Sequence, residues 1–217
     1  TDFKKLHYSL FIEAGPSYFP IEYQAEPFAN ADLDPQTSTN YEIGTYHSYR
    51  FSDRVTGEIS LSGYLIKVKD EIDFDIQTRK YRNINSTDHS GLETALRINY
   101  MNTASVFLNY TYSEVTFSEG DLEGNQLKGV PSNIYTAGIR VDRSEGLGGS
   151  LIYTGASGIY LDDENTQKLD AYGTLNVRVK YRISFASIYL DVNNIFNTSY
   201  SSTGYMIDGI RYLYPAM

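Results

Sequence analysis

Apolar and polar positions alternate along most of this chain. From Val55 to Leu65 the odd positions read Val, Gly, Ile, Leu, Gly, Leu, and the even positions from Thr56 to Tyr64 read Thr, Glu, Ser, Ser, Tyr. A period of two sends successive side chains to opposite faces, so this segment is a strand with one apolar and one polar face. The same alternation groups Leu6, Tyr8, Leu10, Ile12 and Ala14, then Thr94, Leu96, Ile98 and Tyr100, then Val106, Leu108, Tyr110 and Tyr112. It groups Tyr135, Ala137, Ile139 and Val141, then Ala171, Gly173, Leu175, Val177, Val179 and Tyr181, then Ala186, Ile188, Leu190 and Val192. With 41–49 and 147–154 these make nine predicted strands, and no segment carries a helical period.

The predicted connections alternate in length. Short ones fall at 51–54, 101–103, 143–146 and around Arg182; long ones fall at 15–38, 69–82, 116–133, 155–169 and from 196 onward. A soluble sandwich has no reason to interleave them, whereas a transmembrane barrel has tight turns at one end and long loops at the other. No apolar run approaches the roughly 18 residues of a membrane helix, but an alternating barrel strand never produces one. Glu58, Arg97, Arg140, Asp142, Arg178, Lys180 and Asp191 share the polar faces. They suit the solvated side of a sandwich and the wet lumen of a barrel equally. Two features favour the barrel. The apolar faces are slim, built from Gly, Ala, Val and Leu, and Tyr49, Tyr100, Tyr112, Tyr135, Tyr153 and Tyr181 fall at strand ends, where an interfacial aromatic girdle sits.

Composition narrows the rest. The 217 residues include 21 Tyr, 17 Gly and no Cys, which removes disulfides, zinc–thiolate sites and cysteine nucleophiles. The formal charge of −9 argues against nucleic acid as a partner. The opening "TDFKKLHYSL" lacks the apolar region and cleavage site of a signal peptide, so the expectation is a mature start or the interior of a longer protein.

Four segments carry a resemblance. "LDPQTSTNYEIGTY" (33–46), "YRNINSTDHSGLETAL" (81–96), "LDVNNIFNTSY" (190–200) and "YLYPAM" (212–217) resemble, in order and spacing, segments of the TonB-dependent outer-membrane receptors. Gln36, Asn85 and Asn197 depart from the residues usual there. The resemblance implies an all-β, antiparallel up-and-down transmembrane barrel, of which residues 1–217 are the C-terminal portion: nine to ten strands of about 22. The family's plug domain, N-terminal strands and final strand are expected to be absent. It implies active import of a scarce ligand, foremost a ferric siderophore or similar metal chelate, at the bacterial outer membrane. Energy would come from the TonB–ExbB–ExbD complex through the absent N-terminal part, in a wall embedded in lipid and lipopolysaccharide. The alternatives are a passive porin-like channel and a soluble β-sandwich binding or adhesion domain.

Within that frame, Tyr18, Phe19, Tyr23 and Phe28, with Tyr160, are candidate outer-loop contacts that stack on a planar ligand. The competing reading is a loop folded over its own aromatics. Arg97, Arg140, Arg178 and Lys180 are candidate lumen contacts for an anionic ferric chelate, or partners of plug and lumen acids. The run Asp162, Asp163, Glu164 lacks the spacing of a calcium loop and reads as a solvated acidic loop. His7, His47 and His89 lack metal-ligand spacing, and no G-x-S-x-G elbow or Ser/His/acid set appears. No metal, cofactor or enzymatic activity is expected.

Overall fold

The structure, a computed structural model, describes residues 7–18, 30 and 32–216, with 7–18 and 216 as backbone alone. Its strands are β1 (His7–Tyr18), β2 (Thr37–Arg50), β3 (Val55–Lys69), β4 (Ile72–Asp75), β5 (Lys80–Asn83), β6 (Thr87–Tyr100) and β7 (Ala104–Phe117). They continue as β8 (Asn133–Val141), β9 (Gly146–Ala156), β10 (Tyr172–Ile183), β11 (Ala186–Val192), β12 (Tyr200–Ile207) and β13 (Ile210–Ala216). Nine of them form one sheet in the order β1-β2-β3-β6-β7-β8-β9-β10-β11, antiparallel throughout. Sheet neighbours follow one another along the chain once the β4–β5 hairpin is set aside, which is an up-and-down wall.

Register keeps the two faces distinct across the whole sheet. Ile59, Leu96, Leu108, Ala137, Tyr153 and Leu175 lie side by side on one face. Glu58, Arg97, Phe107, Gly138, Ile152 and Asn176 lie side by side on the other. A slip of one residue anywhere would exchange the faces, so the apolar face must be under a strong constraint. It is not covered by protein: Ile43 is 55% exposed and Leu65 58%. The buried apolar cluster of the described residues is Ile159, Leu161 and Leu169, capped by Met206, and it sits in the loops. A sandwich would bury one face of the sheet against a second layer. A contiguous exposed apolar face of this extent belongs in lipid.

Aromatic residues mark the edges of that lipid band. Tyr49, Phe51, Tyr100 and Tyr181 line the short-turn end, with His47, Tyr49 and Phe51 stacked at 6.1 and 6.0 Å. Tyr41, Tyr112, Tyr135 and Tyr153 line the long-loop end, where Tyr135 and Tyr153 stack at 5.8 Å. Tight turns fall at 51–54 and 101–103 as expected, and at 142–145 and 184–185, close to the expected places, with Arg182 itself inside β10 and paired with Ser187.

Several strands extend further than their patterns indicate. β6 starts at Thr87 rather than at 94, and β1 runs to Tyr18, past the expected start of the first loop. Fourteen residues span about 46 Å, and crossing the bilayer takes about 9–11 residues. The surplus stands beyond the membrane at the long-loop end, where both faces are wet and alternation disappears. The hairpins β4–β5 and β12–β13 escape the pattern for the same reason: they lie in the loops, with no lipid face to impose a period.

Candidate functional site

Four long connections meet above the long-loop end of the wall: 70–86, 118–132, 157–171 and the segment carrying β12–β13. Each is tied to its neighbours. The backbone N–H of Gln126 donates to Asn165 Oδ1 at 2.8 Å, and Asn165 Nδ2 donates to Gln126 O at 2.7 Å, so one side chain completes a two-bond pairing between loops. Asn165 holds a φ of +58°, a conformation Asn tolerates better than most residues. Gly129 N–H donates to Tyr160 O at 2.8 Å, and Asn125 Nδ2 to Asp163 O at 3.0 Å. Ser118 N–H donates to Ser86 O at 2.9 Å, joining loop 70–86 to the set. The β12–β13 hairpin is held by Met206 against the apolar cluster and by Tyr200 stacked on Tyr172 at 4.2 Å.

Lys128 is the centre of this layer. Its ammonium pairs with Asp73 of β4 and, at 2.8 Å, with Asp163 of loop 157–171. Burial pushes the Lys128 pKa down, but the two carboxylates outweigh burial and raise it above the ordinary lysine value. Burial likewise pushes Glu71 up, yet hydrogen bonds from His89 and Thr87, with the nearby charge of Lys128, hold it below the ordinary carboxylate value. Asp75 is held low despite some burial, by the Thr78 and Gln77 backbone N–H groups and by Arg82. Between the loops lies a cavity of about 460 Å³ lined by Lys128, Tyr160, Tyr205, Phe74 and five acids, Asp73, Asp75, Asp162, Asp163 and Glu164, against two bases, Lys128 and Arg82.

A second cavity, about 530 Å³, lies on the polar face of β8–β11 and contains Arg140, Arg178, Lys180, Asp142 and Asp191. Arg178 is committed there, with Nη2 donating to Asp191 at 2.9 Å and the guanidinium 5.5 Å from the Tyr189 ring. Lys180, at 3.1 Å, and Arg182 flank Asp142 in the tight turn, and the Lys180 hydrogen bond holds its carboxyl below the ordinary value. Arg140 shares the cavity without an ion pair among the described residues. Arg97 lies directly opposite Glu58 in register, beside a hollow of about 160 Å³, and likewise makes no ion pair among the described residues.

The sequence places this architecture. The family described as TonB dependent receptor-like, beta-barrel, matches residues 10–195. The chain belongs to that family. It is 27% identical over 201 residues to the ferrioxamine receptor of Yersinia enterocolitica, covering 88% of this chain and 27% of that protein. The ferric yersiniabactin uptake receptor of Yersinia pestis superposes with a TM-score of 0.78 at 22% identity, over 96% of this chain and 33% of that one. The siderophore receptor PiuA of Acinetobacter baumannii gives 0.77 at 18% identity, over 96% and 32%. At these identities the two structures speak for the fold. The chain spans about a quarter to a third of these relatives, and its wall is that of an outer-membrane β-barrel.

In this TonB-dependent receptor wall, the candidate contacts separate into two chambers. Tyr160 lines the outer cavity, with the Lys168 ammonium 4.8 Å from its ring centre. Arg140 and Arg178 share the lumen cavity, six residues below the loop end of β10 in the case of Arg178, and Arg97 stands apart on β6. Tyr18 closes β1; Phe19, Tyr23 and Phe28 lie outside the described residues. The acidic run is not simply solvated. Asp163 is buried against Lys128, and Asp162 accepts the Thr166 and Gln167 backbone N–H groups at 2.9 and 3.1 Å, leaving Glu164 exposed. Among the described residues no group of three His, Cys, Asp or Glu could hold a metal ion. Lys128, Phe74, Arg82 and Tyr205 were not indicated by the sequence pattern.

Removing the Lys128 ammonium leaves Asp73 and Asp163 facing each other. Lys128→Met is expected to loosen the loop layer by about 1–2 kcal/mol, less than the roughly 3–5 kcal/mol of a fully buried broken pair. The discount reflects side chains of Lys128 and Asp73 that keep 30 and 32% of their surface in water. Hydrogen exchange across 118–132 and 157–171 should rise while that of β6 and β7 stays unchanged.

The layer is also acid-sensitive. Glu71 and Asp75 are lowered on folding, so their contribution is present above the ordinary carboxylate value of about 4 and is lost as pH falls through their folded values. Lys128 is raised, so its contribution is complete below about 10.4 and is lost only at higher pH still. Loop protection should be flat from about pH 5 to 9 and fall below about pH 4. Glu71→Gln should flatten part of that fall; an identical pH profile in the variant would count against the Glu71 assignment.

Proposed function

We propose that this chain is the C-terminal part of the wall of an outer-membrane active transporter that binds a ferric siderophore and imports it with energy coupled through TonB. The observation that carries this reading is a pair of cavities with charged linings, one among the loops and one on the lumen face of the wall. A loop-walled cavity with aromatic and charged lining stands outside the membrane, above a lumen face on which Arg97 and Arg140 make no ion pair among the described residues. Membership of the TonB-dependent receptor family and the relationship to a ferrioxamine receptor support the same cargo class. The sheet's edge strands β1 and β11 do not pair with each other, and lipid cannot satisfy open strand edges, which supports a wall completed by further strands.

The charge of the two chambers differs. With five acids against two bases, the outer cavity disfavours a strongly anionic chelate at first contact. The basic lumen, with three bases against two acids, acts further along the path. The test is uptake of radioactive iron by cells whose sole siderophore receptor is the full-length protein carrying this chain, using ferric chelates of differing charge. Uptake that requires TonB, and is fastest for a neutral or cationic chelate, is the expected result. TonB-independent passage would favour a passive channel, and absence of binding to any ferric chelate would overturn the cargo.

A further inference from the structure

Tyr160 reaches the outer cavity from a short antiparallel ladder formed by 159–161 and 167–169. Leu161 N–H donates to Gln167 O at 2.9 Å, and Leu169 N–H donates to Ile159 O at 2.8 Å. Those two bonds leave Tyr160 and Lys168 directly opposite each other, as the pair whose side chains lie closest across the ladder. Alternation then sorts the side chains. Ile159, Leu161 and Leu169 are buried in the apolar cluster with Met206, and Tyr160 and Lys168 are turned to the other side.

On that side the Lys168 ammonium stands 4.8 Å from the centre of the Tyr160 ring, where the ring quadrupole attracts it. Lys168 makes no ion pair among the described residues. Its course is fixed at two further points. A Cβ added to Gly158 would lie 3.3 Å from Lys168 Cε and 2.1 Å from Leu169 O, so the bare backbone at 158 lets the lysine stem and the ladder come this close. Arg211 Nη2 of β13 donates to Lys168 O at 3.2 Å and anchors its backbone. Tyr160 lines the outer cavity and Lys168 does not, so the lysine can act on the contents of the cavity through the ring.

We propose that Lys168 is a positioning residue for cargo binding: its ammonium holds the Tyr160 ring in the orientation in which that ring meets a ligand in the outer cavity. The inference rests on the reading of this cavity as the cargo site. A loose ring must be ordered when cargo arrives, at a cost in side-chain entropy, whereas a ring already held against an ammonium was ordered on folding. Positioning and plain charge predict opposite signs for a cationic chelate. If Lys168 acted only by its charge, removing that charge would tighten binding of such a chelate in this acidic cavity. If Lys168 positions Tyr160, removing the charge weakens it.

The test uses the full-length receptor in mild detergent, with fluorotyrosine placed at position 160 and ferric desferrioxamine B, a cationic hydroxamate chelate, as the probe. Lys168→Met keeps the stem and loses the charge. It should shift the fluorine resonance and weaken chelate binding about two- to fivefold, the range of an exposed cation–π contact. In cells the loss should fall on the chelate concentration for half-maximal iron uptake and leave the maximal rate unchanged. Lys168→Arg should restore both readouts, because a guanidinium also binds a ring face. In the Tyr160→Leu background Lys168→Met should have no further effect. All variants should keep the heat-modifiable band of a folded barrel, which separates loss of the contact from loss of the fold. A wild type that does not bind the chelate would overturn the cargo reading for this class and the proposal with it. A wild type that binds, with resonance or affinity unchanged or affinity raised by Lys168→Met, would overturn the proposal alone.

Discussion

Replacing Gly149 with Val is expected to abolish assembly of the barrel. Gly149 sits in β9 opposite Val141 on one side and Val179 on the other. A Cβ at this position would lie 2.1 Å from Arg178 O and 3.3 Å from Val179 Cα, and its φ of +155° is one that side chains rarely adopt. The obstructing atoms are backbone, so no rotamer change relieves the contact. β9 must then part from β10 or shift its register. Parting leaves N–H and C=O groups unpaired in lipid, at several kcal/mol each, and shifting sends polar side chains into the bilayer. The full-length Gly149→Val protein should lose its heat-modifiable band and be depleted from the outer-membrane fraction. Gly63→Ala is the control, since its Cβ meets no atom nearer than 3.7 Å and should assemble normally. A Gly149→Val barrel as stable as wild type would show that β9 and β10 do not approach as described.

The contrast between these two glycines also explains what could be read in advance. The wall was legible because lipid imposes a strict period: the nine predicted strands are the nine of the sheet, and the tyrosines of their ends form the two belts. Where the strands leave the bilayer that constraint ends, and with it the signal. Asp88, His89 and Ser90 extend β6 with polar residues on both faces, so its start at Thr87 is invisible to alternation. The short β4 and β5 hairpin is fixed by contacts such as Lys128 to Asp73 rather than by any local pattern.

The outer chamber was harder still. Tyr160 stood out as a loop aromatic, but Lys128 is a single basic residue in "NQLKGVPS" with no periodic context. Its partners lie 55 and 35 residues away in sequence, brought close only by the barrel's adjacency of consecutive loops. Asp162, Asp163 and Glu164 read as one acidic run because sequence cannot separate their roles. The fold assigns one to a turn, one to a buried ion pair and one to solvent. Glycine carries a similar ambiguity: Gly63 has room for a side chain and Gly149 admits a neighbouring strand, and only the register distinguishes them.

Leu96→Arg tests the assignment of the two faces most directly. Leu96 lies between Ile59 and Leu108 in register, on the outward face, four residues from Tyr100 at the short-turn belt and four from Leu92, which pairs with Tyr112 of the long-loop belt. At 37% exposure it would tolerate a charge in a soluble sheet, where surface substitutions typically change stability by about 0.5 kcal/mol or less. At the middle of a bilayer an arginine on the lipid face costs about 2–4 kcal/mol. The next residue, Arg97, is already an arginine at almost the same depth, accommodated because its side of the sheet is the lumen. The two readings therefore differ by a measurable amount at adjacent positions. Unfolding of the full-length receptor in lipid vesicles should show the loss for Leu96→Arg and a much smaller one for Leu96→Ala. Replacement of Arg97 by Gln should be nearly neutral, since no ion pair is lost among the described residues. Equal and small effects for all three would mean that the apolar face does not meet lipid, and the outer-membrane wall would have to be rebuilt from a different face assignment.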